Sequence, residues 1–401
     1  MQLVERHIVT GKQYQDLCVK AKNLYNQALY YWRQSMFGNI AYFSEYELTG
    51  LFAEFKEENY TVLPAQTSQQ IIKLLFKNVK SWQKARKEYS KNPERFLGIP
   101  KLPKYKKETS IAVFTSQQVK VKDGYISFPK MVNLPELKTK VDNICQVRII
   151  PNSNHFIVEV VYEKEEKELK TYNGNWMGID LGLNNLATVS TKNSGTIYNG
   201  KPLKSINHFS NKRKSNLQSL LPANKHVSKR INRIVHRRNC MIENYIHQIS
   251  NKIIKKAQHE NITKIIIGNN ANWKQRINLG KKTNRNFVGI PHSSLIEKIK
   301  YKGLMEGIEV LVTQEAYTSK CSALDLEPIC KHETYVGKRK KRGLFVTSNG
   351  ALINADINGS LNIARLGLSA TGNEITISDS VRRAALAPKK MNVLAHRTDS
   401  N

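Results

Sequence analysis

The sequence predicts an α+β multidomain chain: a helical lobe, a small antiparallel β-barrel, then an α/β domain. Three observations predict it. Apolar residues recur at helical spacing over 14–37 and again over 67–89. The period drops to two between 119 and 161. Beyond 172, strand-like apolar runs alternate with long helical patterns, as βαβ units require.

Residues 1–12 read as a short strand. From Tyr14 to Phe37, Leu17, Ala21, Leu24, Ala28 and Trp32 mark one helix face, with Lys20, Lys22 and Arg33 between them. A second helix carries Ile71, Leu74, Leu75, Val79 and Trp82 on one face, and Pro64, Pro93 and Pro100 punctuate the region. Pro100 to Lys107 is extended, because its prolines bar a helix, and basic, with Lys104 and Lys106 as candidate phosphate contacts. Asp123-Gly124 between Val119–Lys122 and Tyr125–Phe128 is a strong hairpin signal. Val147–Ile150 and Phe156–Val161 flank a second turn at Asn152-Ser153-Asn154, and together these strands predict the barrel. The charged run Glu163–Lys170 is a candidate boundary.

The α/β part is built around Trp176 to Val189. An apolar run holds one acid, Asp180, turns through Gly and Asn, and continues into a second apolar run. A carboxylate in a buried strand needs a partner, and a cation is a common one; the plain alternative is a strand-end Asp capping a turn. A second acid, Asp356, opens a short amphipathic helix in the stretch Ile353–Arg365. Two such carboxylates could share a pair of Mg²⁺ ions, and metals about 3.5–4 Å apart stabilise both the attacking and leaving oxygens of a phosphodiester. Strands are expected near 185–190 and 195–199. From Lys201 to Lys256 there are fourteen Lys or Arg and one acid, Glu243. A long helix with an apolar stripe from Ile231 to Ile253 carries Lys229, Arg230, Arg233, Arg237 and Arg238. These are either a solvated face or phosphate contacts, and the scarcity of nearby acid favours phosphate. Lys264–Gly268, a loop over 269–290, a helix over 291–306 and a strand over 308–313 form a βαβ unit, so its two strands should be parallel and close together. Residues 369–401 lack sustained periodicity and are expected to be a loosely ordered tail, with a basic patch in Arg382, Arg383, Lys389 and Lys390.

Composition narrows the partners. Lys and Arg number 64 against 32 Asp and Glu, a net charge of +32. That excess implies a polyanionic partner. A membrane surface competes, but no segment approaches the roughly 18 consecutive apolar residues of a spanning helix, and the N-terminus lacks the apolar core of a signal peptide. Five scattered cysteines do not form a disulfide framework, which fits a reducing cytoplasm.

With these pieces in view, the chain resembles the TnpB family, transposon-encoded RNA-guided nucleases related to type V CRISPR effectors. The motifs that carry the resemblance are GIDLGLNNLATVS (178–190), HRRN with its following helix (236–257), YKGLMEGIEVLV (301–312), YTSKCS (317–322) and NADINGSLNIAR (354–365). The extended PKLPKYKK segment (100–107) also resembles a linker common in that family. The resemblance implies a RuvC-like nuclease domain with an RNase H fold over 171–368, containing a target-loading insertion over 318–352. It makes 1–12 and 101–170 a wedge domain and 13–100 a helical recognition lobe inserted into it. It implies an RNA-guided DNA endonuclease whose partners are a guide RNA transcribed from the transposon end and target double-stranded DNA. Cleavage would fall next to a short adjacent motif, in a prokaryotic cytoplasm or at its nucleoid. Lys320 and Arg365, inside the matching motifs, join the candidate nucleic-acid contacts. Oligomeric state stays open.

The sequence departs from the family pattern twice. Most members have a glutamate at the end of the strand that here reads IIIGNN, and Gly268, Asn269 and Asn270 cannot supply that charge. Glu315 ends the next strand, about 4.8 Å away if the two pair, and is expected to replace it beside Asp180 and Asp356 as catalytic residue and Mg²⁺ ligand. The alternatives are a nuclease-inactive, RNA-guided repressor and a guide-free resolvase or transposase. The second departure concerns zinc. Most members carry two CxxC pairs before the last Asp; here Cys321 and Cys330 stand apart, His332 is a possible third ligand, and Gly343 to Ile353 holds no Cys or His. A closed site needs four ligands, so structural zinc is not expected. The insertion holds a basic turn, Gly337–Gly343, instead.

Overall fold

The computed structural model describes residues 1–38, 42–269, 289–341 and 343–393. Most of the loop expected over 269–290, Arg342 of the basic turn and the last residues of the tail lie outside them. The chain divides into two compact units, Met1–Glu165 and Glu166–Asn401, and the division falls inside the charged run.

In the first unit, α1 (Lys12–Phe37) packs its apolar stripe against α4 (Ala65–Lys91), with the shorter helices α2 (Glu45–Glu54) and α3 (Glu58–Thr61) beside them. Ser44 and Glu47 start α2 with a reciprocal capping box. The strands β1 (Gln2–Val9), β2 (Ala112–Thr115), β6 (Ile144–Asn152) and β7 (His155–Glu163) form an antiparallel sheet in the order β1-β7-β6-β2. The Asp123-Gly124 turn has positive φ at both residues, the backbone that a two-residue hairpin demands, and it joins β3 (Lys120–Lys122) to β4 (Tyr125–Ser127). The expected barrel does not close. β1 and β2 are edges of the four-stranded sheet, while β3, β4 and β5 (Leu137–Lys138) pair only among themselves. Strands of two or three residues are too short to carry a ladder from one edge to the other. The sheet instead covers one face with the helices: Tyr14 of α1 stacks on Phe156 of β7 at 5.9 Å, and helix and sheet residues share one core.

The second unit is built on a six-stranded sheet, β12-β11-β8-β9-β10-β16. β8 (Trp176–Leu181), β9 (Asn185–Thr191) and β10 (Gly195–Asn199) form an antiparallel meander. β11 (Lys264–Gly268) runs parallel to β8 on one side and to β12 (Glu309–Thr313) on the other, so the βαβ pairing is as the sequence requires. α5 (Lys201–Ser219), α6 (Lys229–His259) and α7 (His292–Met305) belong to this unit. Met177, Ile179, Ile265 and Ile267 share a core with α6 and α7. The alternate residues Trp176 and Ile266 share the other core with α8 (Ala355–Ser369). The strand period of two therefore puts Gly178, Asp180 and Gly268 on the α8 face. That approach is close: a Cβ on Gly178 would run into the Ser360 carbonyl, and one on Gly367 into Ile266.

Three details add to the sequence expectation or differ from it. Residues 201–219 are helical despite a weak apolar stripe; only Leu203 and Asn207 of them are buried. The three strands β13 (Lys338–Lys341), β14 (Leu344–Val346) and β15 (Leu352–Asn354) make a small sheet in the insertion. The tail supplies α9 (Asp379–Leu386), buried through Val381 and Ala385, and β16 (Lys389–Met391), which pairs with β10. Two buried residues four apart are too little periodicity to read from sequence. Among the described residues no helix is long and apolar enough to cross a membrane.

Candidate active site

Three acids lie within electrostatic range of one another on the α8 face of the sheet. Asp180 lies next to the end of β8, opposite Thr188 of β9. Its Oδ2 lies where a side chain on Gly359 would begin, 2.8 Å from an ideal Cβ there, so the helix approaches the carboxyl backbone-first. Asp356 sits in the first turn of α8, where the helix dipole favours negative charge. Asn354 caps that turn by accepting from the Asp356 and Ile357 amides. Asn185, the first residue of β9, donates to Asp356 Oδ2 at 2.6 Å and fixes its direction.

The third acid is Glu315. Gly268 pairs in register with Thr313, and Glu315 follows two residues later, on the same face. An ideal Cβ on Gly268 would stand 2.5 Å from Glu315 Oε1 and 2.6 Å from its Cγ. The Glu315 side chain thus fills the volume that any side chain at 268 would need. Thr318 holds the turn behind it by donating to the Glu315 carbonyl.

Electrostatics reflect this crowding. Burial pushes the Asp180 carboxyl well above its usual range, and the charges of Glu315 and Asp356 push it further, against a lowering pull from Arg339. Burial raises Glu315 to about 7. Carboxylates that repel one another gain from a shared hard cation, and carboxylate oxygen is a donor that Mg²⁺ takes, with waters or phosphate oxygens completing its shell. Among the described residues no group of three or more His, Cys, Asp or Glu stands in ligating geometry. The acids are within electrostatic range, and joint ligation requires their side chains to converge.

Arg339 was not legible as a site residue. It lies in β13, far from Asp180 in sequence, and its charge is felt there because the insertion folds back through β14 and β15 to the start of α8. The YTSKCS segment is held by a row of side chains on α8. Asn358 accepts from the Ala323 amide and donates to the Cys321 carbonyl, and Asn362 donates to the Thr318 and Cys321 carbonyls. Arg365, one turn on, donates to the Glu327 carbonyl and to Asn362 Oδ1. Its guanidinium is thereby engaged within the protein.

The other expected nucleic-acid contacts divide similarly. Lys229, Arg230, Arg233 and Arg237 are exposed on α6. Arg237 lines a groove of about 890 Å³ with Asn244, Gln248, Asn251, Lys252 and Lys255. Arg238 is half-buried and donates to Asn207, Asn239 and the Gly289 carbonyl, which ties α5 to α6. Lys104 is exposed, whereas the Lys106 ammonium lies over the Tyr25 ring. Lys320 is exposed, with its ammonium 5.8 Å from the Tyr335 ring. One basic feature escaped the sequence reading. Lys73, Lys77, Lys80, Lys84, Lys87 and Lys91 alternate at spacings of four and three, so they form one exposed stripe along α4 opposite its buried face. At 1.5 Å per residue the stripe is about 27 Å long. None of the six is in an ion pair among the described residues.

A family model described as probable transposase, OrfB_IS605, matches residues 159–274, and the Cas12f1-like TNB domain model matches 292–363. The chain is 24% identical over 294 residues to the CRISPR-associated endodeoxyribonuclease Cas12f2 of Micrarchaeota archaeon (strain CG1_02_47_40), covering 67% of this chain and 51% of that one. It is 23% identical over 227 residues to the TnpB-like protein ORF457 of Acidianus two-tailed virus, covering 53% and 46%. The chain spans about half the length of these curated relatives. A solved Cas12f1–sgRNA–target DNA complex is similar at 16% identity and a TM-score of 0.39, covering 92% of this chain and all of that one.

The raised carboxyls make stability pH-dependent. Glu315 is held near 7 against an ordinary value of 4.5, so between those values the folded, metal-free protein binds more protons than the unfolded chain. The stability this contributes is full below the unfolded pKa and is lost as pH rises through the folded one. Urea unfolding in chelator should therefore show stability falling between about pH 5 and pH 8, less steeply in Glu315→Gln. Equal slopes in both proteins would contradict the buried setting of Glu315.

Proposed function

We propose, taking the chain as the relative of TnpB and Cas12f proteins that its motifs and matches make it, that it is an RNA-guided DNA endonuclease with a relocated third acid. The observation that carries this reading is the Glu315 carboxylate standing in the space left by Gly268, on the same face as Asp180 and Asp356. A meander extended by parallel strands, with acids at the strand ends and on the covering helix, supports a RuvC-like, RNase H-type domain. The net charge of +32 supports nucleic-acid partners.

In this reading Asp180, Glu315 and Asp356 hold Mg²⁺ and orient the scissile phosphate. When bound, Mg²⁺ supplies Lewis-acid stabilisation of the phosphodiester oxygens. Asn185 keeps Asp356 aimed inward, and the Arg339 guanidinium adds positive charge where the phosphate's negative charge would otherwise meet three carboxylates. Base pairing of guide with target supplies sequence selection, while the protein reads a short adjacent motif and duplex shape. The α4 lysine stripe and the exposed α6 basic residues take phosphate backbone without reading bases.

The test is cleavage of a target library with randomised flanks by protein copurified with its native transcript. Wild type should cut in Mg²⁺ and stop in EDTA. Asp180→Asn and Glu315→Gln should lose more than about 100-fold with guide binding intact, and Asn185→Ala about 10–100-fold, as an outer-shell partner does. Guided binding without cleavage by wild type would identify a repressor instead; cleavage by RNA-free protein would identify a resolvase or transposase.

The lysine stripe has its own readout. Replacing Lys73, Lys77, Lys80 and Lys84 with Gln should flatten the salt dependence of duplex DNA binding, by about 0.9 in log–log slope for each phosphate no longer neutralised. An unchanged slope would remove the stripe from the interface.

A further inference from the structure

The resemblance implies a zinc-bound insertion between the YTSKCS segment and Asp356, and the residues here do not fit one. The buried Cys321 thiol donates to the Cys330 carbonyl rather than joining a ligand set. Cys330 is exposed, with its sulfur 3.4 Å from His332 Nε2. The returning turn reads Thr347-Ser348-Asn349-Gly350, with no sulfur or imidazole. Structural zinc, which takes four sulfur or imidazole ligands, would find at most three, on one side of the insertion only.

Two carboxylates occupy the junction instead. Asp325 Oδ2 accepts from Ser322 Oγ at 2.6 Å and from the Ser348 amide at 2.9 Å, and its Oδ1 accepts from Ser348 Oγ at 2.7 Å. It therefore joins the turn after YTSKCS to the turn before Asp356. Glu327 is 3% exposed; its Oε2 accepts from the Ser322 amide at 2.6 Å and its Oε1 from the Val336 amide at 2.9 Å. Hydrogen bonds to an ionised acceptor are the strong kind, and backbone amides are fixed donors. Burial pushes the Asp325 carboxyl up, but its bonds to Ser322 and Ser348 outweigh that and hold it below the usual range. The Glu327 carbonyl in turn receives Arg365 from α8, which anchors the junction to the helix that carries Asp356.

We infer that Asp325 and Glu327 take over the crosslinking work of a structural metal, so that the insertion holds its shape without zinc and keeps β13, with Arg339, beside the acids. A metal ties two chain segments by drawing their donors onto one centre. Here Asp325 draws three donors, from Ser322 and Ser348, 26 residues apart, and Glu327 draws two, from Ser322 and Val336, 14 apart. Both are positioning residues. Their effect on cleavage rests on the proposed nuclease reading; their effect on the insertion does not.

The experiment uses full-length protein with its copurified RNA. Metal content is measured by plasma mass spectrometry, and amide exchange at Ser322, Val336 and Ser348 is followed with and without a zinc chelator. The inference expects no stoichiometric zinc and protection that the chelator leaves unchanged. Asp325→Ala should speed exchange at Ser348 at least tenfold, Glu327→Ala should do so at Val336, and Asp325→Asn, which keeps one acceptor oxygen, should retain part of the protection. One zinc per chain whose removal exposes these amides would overturn it, as would unchanged exchange in Asp325→Ala. Ser348→Ala, which removes only one hydroxyl, keeps the test open if the Asp325→Ala protein does not fold: it should weaken protection locally, and no effect there counts against the staple. Cleavage adds a separate arm. If Asp325 acts by placing Arg339, Asp325→Ala/Arg339→Ala should cut no more slowly than Arg339→Ala alone, whereas losses that multiply would deny that link. The exchange result stands whether or not the protein cuts DNA.

Discussion

A carboxylate can stand above Gly268 only because glycine leaves that volume empty. In a parallel pair the side chains of adjacent strands share a face, and the register sets Gly268 beside Thr313. Glu315, two residues further on, then folds back over the glycine, and its oxygen falls within 2.5 Å of the missing Cβ. Any side chain at 268 would displace it. The neighbourhood depends on this arrangement: the third negative charge raises the cost of ionising Asp180.

The second constraint is the close seating of α8. Gly178 and Gly359 let helix and strand meet without side chains between them, so the backbone of α8 passes directly over β8 and Asp180 reaches up beside Gly359. The same helix turns Asn358 and Asn362 toward the Thr318 and Cys321 carbonyls of the YTSKCS segment, and Asn358 and Arg365 toward the Ala323 amide and Glu327 carbonyl just beyond it. One helix thus positions an acid at its first turn and anchors the insertion along its length. This explains why two motifs far apart in sequence act as one structural element.

Much of this was legible because it is local. Asp123-Gly124 announces its hairpin, the stripes of α1 and α4 announce their helices, and the period of two decides which face Asp180 takes. The pairing of β11 with β12 follows from the handedness and length of a βαβ unit, and that made Glu315 a candidate from the sequence. What was not legible depends on long-range contact. Arg339 acts electrostatically on Asp180 through a folded insertion, and Arg238 and Arg365, basic in the sequence, prove to be engaged within the protein. The sheet of the first unit stays open because strand length, not hydrophobic period, decides closure.

The central claim is that Glu315 supplies from the neighbouring strand what position 268 no longer can. The most direct measurement is Mg²⁺-dependent target cleavage by the RNA-loaded protein as Glu315→Ala and as Glu315→Ala/Gly268→Glu. Truncating Glu315 removes two of the three atoms nearest to a Cβ at 268, and the third, the flexible tip of Ile363, then has to shift. The account predicts that the single variant is inactive and that the double variant recovers cleavage. Cleavage by Glu315→Ala at the wild-type rate would contradict it.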